Sequence, residues 1–97
     1  MIQKTYFKTK DYCKVKFSFT ANHNAEVVEI LGLNSDWDNA VQMKKKKDGS
    51  FSCELSLPKN TRHEFKYRVD ASNWLNDSTA DSEVANVYGG QNSVITL

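Results

Sequence analysis

From Arg62 to Val69 the chain alternates without a slip. His63, Phe65, Tyr67 and Val69 fall on one parity, and Arg62, Glu64, Lys66 and Arg68 on the other. Successive side chains of a strand point to opposite faces, so this segment predicts a strand with one buried and one wet face. Lys14 to Thr20 follows the same rule, with Val15, Phe17 and Phe19 inward against Lys14, Lys16 and Ser18. Glu26 to Leu31 is rich in β-branched residues and reads as a strand with Val28 and Ile30 on one face. Val41 to Lys47 reads as a short strand with Met43 inward. Asp48-Gly49 follows, and then Phe51, Cys53, Leu55 and Leu57 alternate against Ser52, Glu54 and Ser56. Strand, Asp-Gly, strand is the strongest short-range hairpin signal. Asn92 to Leu97 reads as the last strand.

The segments between are turn formers. Ala21–Asn24, Gly32–Ala40, Pro58–Asn60, Asp70–Asn73 and Val87–Gln91 read as turns or polar loops, Trp74–Asn76 as a short extended piece, and Asp77–Asn86 as loop. Residues 1–13 read as an N-terminal arm or edge strand, and residues 14–97 as one folded module. No segment has a helical period. About seven short strands at the ~8–12-residue spacing of all-β domains predict an all-β sandwich.

Composition narrows the function. Ninety-seven residues suit one domain; 39% are hydrophobic and 26% charged, an ordinary globular balance. A net charge of +1 supplies no global attraction to nucleic acid or to an anionic membrane, so neither is an expected partner. No run reaches the roughly 20 apolar residues of a membrane span. The polar start, MIQKTYFKTKDY, lacks the apolar core of a secretory signal, so a cytoplasmic location is expected. Cys13 and Cys53 then read as buried free thiols, and no spacing suggests a metal site or a calcium loop.

Catalysis finds little support. The histidines are His23 and His63, and His63 shares the parity of core residues. No nucleophile elbow or glycine-rich phosphate loop is present, so neither an enzyme nor a cofactor is expected. The four lysines 44–47 read as the solvated end of a hairpin.

Two residues stand out against this background. Trp37 and Trp74 sit in or beside polar loops rather than on a core parity. Flat indoles suit the apolar C–H faces of sugar rings, whose hydroxyls need donors and acceptors at the rim. Lys66 can donate there, and Asn92, or Asn73 and Gln91, can both donate and accept. This is chemistry for recognition without catalysis.

The ordered set Gly-x-x-x-x-Trp (Gly32 to Trp37), Met43 before a Lys-Asp-Gly hairpin, Leu-x-Leu-Pro (Leu55–Pro58), Phe-Lys-Tyr-Arg-Val-Asp (Phe65–Asp70), Trp74, Asn76-Asp77 and Asn-Ser-Val-Ile (Asn92–Ile95) resembles a known family. It is similar to the early-set, immunoglobulin-like domain at the N-terminus of isoamylase and branching enzymes. It also resembles the glycogen-binding module of the AMP-activated protein kinase β subunit. The resemblance runs from about Lys14 to Leu97. It implies an immunoglobulin-like sandwich that binds α-1,4-glucans such as glycogen, starch or malto-oligosaccharides. Trp37 and Trp74 would be the stacking planes, Lys66 and Asn92 the polar contacts, and Tyr88 would stand where the kinase module has a leucine that reaches into the sugar ring. Asn34 replaces an aromatic of the kinase-type loop, Asp70–Asn73 is longer than the usual Asp-Gly turn, and Gly90 stands where threonine is common. A protein-interaction module of the same fold, partnered with a glycan-processing enzyme or another protein, is the alternative.

Overall fold

The computed structural model describes residues 1–20 and 24–97. His23 and most of the turn expected at Ala21–Asn24 fall outside the described residues. In chain order the strands are β1 (Ile2–Tyr6), β2 (Tyr12–Phe19), β3 (Val28–Leu31), β4 (Val41–Gln42), β5 (Lys44–Lys45), β6 (Phe51–Pro58), β7 (Arg62–Val69), β8 (Asn73–Leu75), β9 (Ser82–Ala85) and β10 (Gln91–Thr96). They form two antiparallel sheets. One runs β1-β2-β6-β5; the larger runs β4-β3-β7-β10-β9, with β8 also paired to β7. The expected all-β, immunoglobulin-like sandwich is the architecture observed.

The alternating strands form where the pattern places them, because each has one apolar parity to bury. Val15 and Phe17 of β2 and Phe65, Tyr67 and Val69 of β7 are fully buried between the sheets. Phe17 meets Phe65 edge-on at 5.3 Å, and Phe19 lies 4.7 Å from Tyr67. Burying an aromatic of this size stabilises by about 1.5–3 kcal/mol. At the Asp-Gly turn, Gly49 takes a φ of +88° while Lys46 N–H donates to the Ser50 carbonyl at 2.7 Å. Cys13 is a buried free thiol, and burial pushes the half-buried Cys53 thiol up to about 11.

Two segments differ from expectation. The single strand read over Val41–Lys47 is two. Val41 and Gln42 pair with Ile30 and Glu29 in the large sheet, whereas Lys44 and Lys45 pair with Ser52 and Phe51 in the small one. Met43 is buried at the crossing, and its N–H donates to the Val28 carbonyl at 2.8 Å. The second difference is β9, inside the Asp77–Asn86 stretch read as loop. It is an edge strand laid on β10, and only its Val84 is even half-buried, so no alternation marks it.

A polar knot fixes the chain between β8 and β9. The buried Tyr67 hydroxyl donates to Asp77 Oδ2 at 2.6 Å, and Thr79 donates to Oδ1 through its N–H and its hydroxyl. Burial opposes ionisation of Asp77, but the hydrogen bonds from Thr79 and Tyr67 and the nearby N-terminal ammonium hold its carboxyl below the usual range. The Asp77 N–H donates to Ser93 Oγ at 2.9 Å, and Ser93 Oγ donates to Asn76 Oδ1 at 3.0 Å. One end of β10 is thereby tied to the chain that leaves β8.

Candidate functional site

The core parity of β7 turns Glu64, Lys66 and Arg68 to the outer side of the large sheet. Neighbouring strands add to that side in register. Trp74 pairs with Arg68, Leu31 with Lys66 and Val94 with Glu64. Asn92, two residues before Val94 on β10, shares its parity and so faces the same way. Leu31 and Val94 are buried although they point away from the core, so side chains on this outer side cover them.

Trp74 is 45% exposed. The Arg68 guanidinium lies 5.5 Å from its ring centroid, and Arg68 is itself held by Glu29 Oε1 through Nε at 3.1 Å and Nη2 at 3.0 Å. An indole backed on one side by a fixed cation is oriented before any ligand arrives. The turn leading to it differs from a glycine-bearing Asp-Gly turn. Asp70 and Ala71 both take positive φ, 50° and 61°, and the Ser72 N–H donates to the Val69 carbonyl at 3.2 Å, as in a primed hairpin turn. The Asp70 carboxylate accepts the N–H groups of Glu26 and Val27 at 2.9 and 3.0 Å, which ties the turn to the start of β3.

Trp37 is 38% exposed, on the loop after β3. The loop opens at Gly32, whose φ is +106°. A Cβ there would meet the Glu64 carbonyl at 2.5 Å and Trp37 Cζ2 at 2.6 Å, so only glycine lets the indole lie against β7. Asn34 and Ser35 also take positive φ, 58° and 60°. Two anchors hold this strained run. The Asn34 N–H donates to His63 Nδ1 at 3.1 Å. Asp36 Oδ1 accepts the N–H groups of Asp38 and Asn39, and the Asn39 backbone bond, then its side-chain amide, keep the Asp36 carboxyl below the usual range. With Nδ1 accepting, the ring proton of His63 sits on Nε2, facing Thr61 Oγ1 at 2.8 Å. Burial lowers the His63 pKa and favours this neutral form. The buried His63 is thus an anchor for the Trp37 loop.

Lys66 Nζ donates to the Gln91 carbonyl at 3.0 Å, which also accepts from Asn76 Nδ2 at 3.0 Å. Asn92 donates from Nδ2 to Glu64 Oε1 at 3.2 Å. Tyr88 and Val87 are 92% and 91% exposed on the β9–β10 turn. The structure therefore brings Trp37, Lys66, Trp74 and Asn92 to β7 and its immediate neighbours, and sets Tyr88 four residues from Asn92 at the tip of the adjoining turn. A cavity of about 170 Å³ lies elsewhere, between the Trp37 loop and β6, lined by Leu33, Asn34, Asp36, Leu55 and Leu57 among others. Neither tryptophan lines it.

Arg68, Glu64 and Asn86 belong to this neighbourhood, and sequence reasoning assigned them no part; Gln91, expected to offer its side chain, contributes its backbone carbonyl. The parity of β7 pointed to Arg68 and Glu64. Nothing local marks the Gln91 carbonyl or Asn86.

An immunoglobulin-like sandwich with two half-exposed indoles beside a lysine and an asparagine has the make-up of a carbohydrate-binding module. The family model for the glycogen recognition site of AMP-activated protein kinase matches residues 15–97, and the chain belongs to that family. Its members bind glycogen, an α-glucan, and are typically non-catalytic. A comparison with curated proteins returned no match. Among the described residues no helix is long and apolar enough to cross a membrane.

Proposed function

We propose that this chain is a non-catalytic module that holds α-1,4-linked glucans, as glycogen, starch or malto-oligosaccharides, on the outer face of the large sheet. Residues 14–97 form the module and residues 1–13 an arm that adds an edge strand. Trp37 and Trp74 stack on the C–H faces of glucose units. Lys66 and Asn92 donate hydrogen bonds to hydroxyls between them, and Tyr88 closes on the sugar from the β9–β10 turn. The protein works in the cytoplasm, beside enzymes that process the same polymer. The observation that supports this reading is two half-exposed indoles on either flank of β7, with Lys66 on β7 itself and Asn92 on β10 beside it. Exposed aromatic area held on a strand and an anchored loop is costly in water and suits a ligand surface. A shallow platform buries little area, so affinity for one chain falls in the micromolar to millimolar range, about −8 to −4 kcal/mol.

Titration with maltoheptaose or β-cyclodextrin, followed by tryptophan fluorescence, tests the proposal. A saturable change supports it; an unchanged spectrum at millimolar sugar removes it. The bare Val87 and Tyr88 favour a second reading, a protein contact through the same turn. That reading predicts a captured partner that soluble glucan does not displace.

A further inference from the structure

Asn86 has no place in the contacts proposed above, yet its carboxamide meets both the Tyr88 turn and Asn92. Its Oδ1 accepts the N–H of Tyr88 at 2.9 Å and the N–H of Gly90 at 3.1 Å. Its Nδ2 donates to Asn92 Oδ1 at 3.1 Å. Its backbone N–H donates to the Gly90 carbonyl at 2.9 Å, and its carbonyl accepts from Gly89 at 3.4 Å. One half-buried side chain therefore shapes the Val87–Tyr88 turn and meets the amide of Asn92.

We propose that Asn86 is the positioning residue of the glucan face, fixing the amide of Asn92 so that the site offers donors to its ligand. The proposal rests on the glucan reading. A carboxamide has two N–H donors and one acceptor oxygen, and it can be reversed by rotating about its last bond. In Asn92 both ends are fixed. Oδ1 faces the Asn86 amide, and one N–H faces the Glu64 carboxylate. Reversal would set two N–H groups against each other and an oxygen against a carboxylate. Asn92 is only 9% exposed, and the N–H that Glu64 does not take is the donor it has for a ligand. The Lys66 ammonium, one of whose protons is held by the Gln91 carbonyl, keeps two. The rim thus presents N–H groups to oxygen acceptors, so the sugar hydroxyls that meet Lys66 and Asn92 accept there and donate elsewhere. An ordered donor set spares the ligand the entropy of arranging it.

Asn86→Asp separates the two duties of this side chain. A carboxylate still accepts from Tyr88 and Gly90, so the turn is kept. It cannot donate to Asn92 Oδ1, and it places a second negative charge near Glu64. The expected result with the full chain and maltoheptaose is a dissociation constant about tenfold weaker, the scale of one buried hydrogen bond, with the melting temperature nearly unchanged. Asn92→Ala should weaken binding by a similar factor, and the double variant should lose no more than either single one. Asn86→Gln, which restores a donor, should recover part of the affinity. In the sugar-free protein, the side-chain amide resonances of Asn92 should shift in Asn86→Asp. Native-like affinity in Asn86→Asp, or losses that multiply in the double variant, overturns the positioning role while the glucan reading stands. A native chain that ignores maltoheptaose overturns the glucan reading, and the positioning role with it.

Discussion

On the outer side of β2 and β6 stand Lys14, Lys16, Ser18, Ser52, Glu54 and Ser56; on the outer side of β7 and its neighbours stand Glu64, Lys66, Arg68, Trp74 and Asn92. The small sheet and its turns carry ten of the thirteen basic residues (Lys4, Lys8, Lys10, Lys14, Lys16, Lys44, Lys45, Lys46, Lys47 and Lys59) against three acids (Asp11, Asp48 and Glu54). The large sheet and its loops carry nine of the twelve acids and both tryptophans. Both sheets meet the same demand of burying one parity, so the other parity is free to differ. A lysine and serine face carrying an exposed ion pair, Lys14–Glu54 at 3.5 Å, is a solvated surface that resists association. A face of half-exposed indoles is the one that calls for a ligand.

Backbone strain leans the same way without being confined to one side. Asn34, Ser35, Asp70 and Ala71 take positive φ in the loops of the large sheet, while on the small sheet's side Asn60 does so after β6 and the hairpin uses Gly49. Non-glycine residues in this region cost roughly 1–3 kcal/mol each and persist where their surroundings hold them. Here the holders are His63, Asp36 and Asp70 itself.

The largest expected effect comes from Gly32→Ala. The new methyl would collide with the Glu64 carbonyl and with Trp37, at a φ of +106°, and strain plus overpacking should cost about 3 kcal/mol. Denaturant unfolding measures this, and sugar affinity should fall with it, because Trp37 must move. Next, Trp37→Ala or Trp74→Ala should each weaken maltoheptaose binding at least about tenfold, as for a truncated aromatic anchor. Lys14→Ala and Lys16→Ala on the opposite face should leave it within about twofold, as for surface changes remote from a ligand. Equal losses on both faces, by calorimetry, would break the comparison.

The His63 anchor gives a pH signature. Its folded pKa is lowered, so the unfolded chain takes up a proton first as pH falls. The stability it contributes is complete above the ordinary histidine pKa of about 6.5 and declines as pH drops below it. The melting temperature should fall between pH 7 and pH 5, and His63→Gln should flatten that decline. A native profile that is flat across the interval would remove the anchor. The smallest effect is a gain. Ala71→Gly relieves a left-handed alanine but loosens the unfolded chain, for a net stabilisation of about 0.5–1 kcal/mol read by thermal unfolding.

Much of the scaffold was legible because it is written in alternation. Arg62–Val69 and Lys14–Thr20 each expose one polar parity, and Asp48-Gly49 marks its own hairpin. The sheet change at Met43 was not legible: a strand that leaves one sheet for another keeps its inward residue, so the pattern stays continuous while the pairing does not. β9 was hidden because an edge strand can be held by backbone bonds to β10 with almost nothing buried. At the site, Trp37 and Trp74 stood out as large aromatics among turn formers. Asn86 did not, since asparagine near a glycine pair reads as turn chemistry, and its bond to Asn92 exists only once β9 and β10 pair.

Backbone amide shifts, followed by NMR as maltoheptaose is added, test the two-faced sandwich most directly. The changes should gather at residues 32–40, 64–68, 73–76 and 86–92 and leave the small sheet's strands β1, β2, β5 and β6 still. Shifts on the lysine face, or none anywhere at millimolar sugar, would contradict a glucan platform on β7.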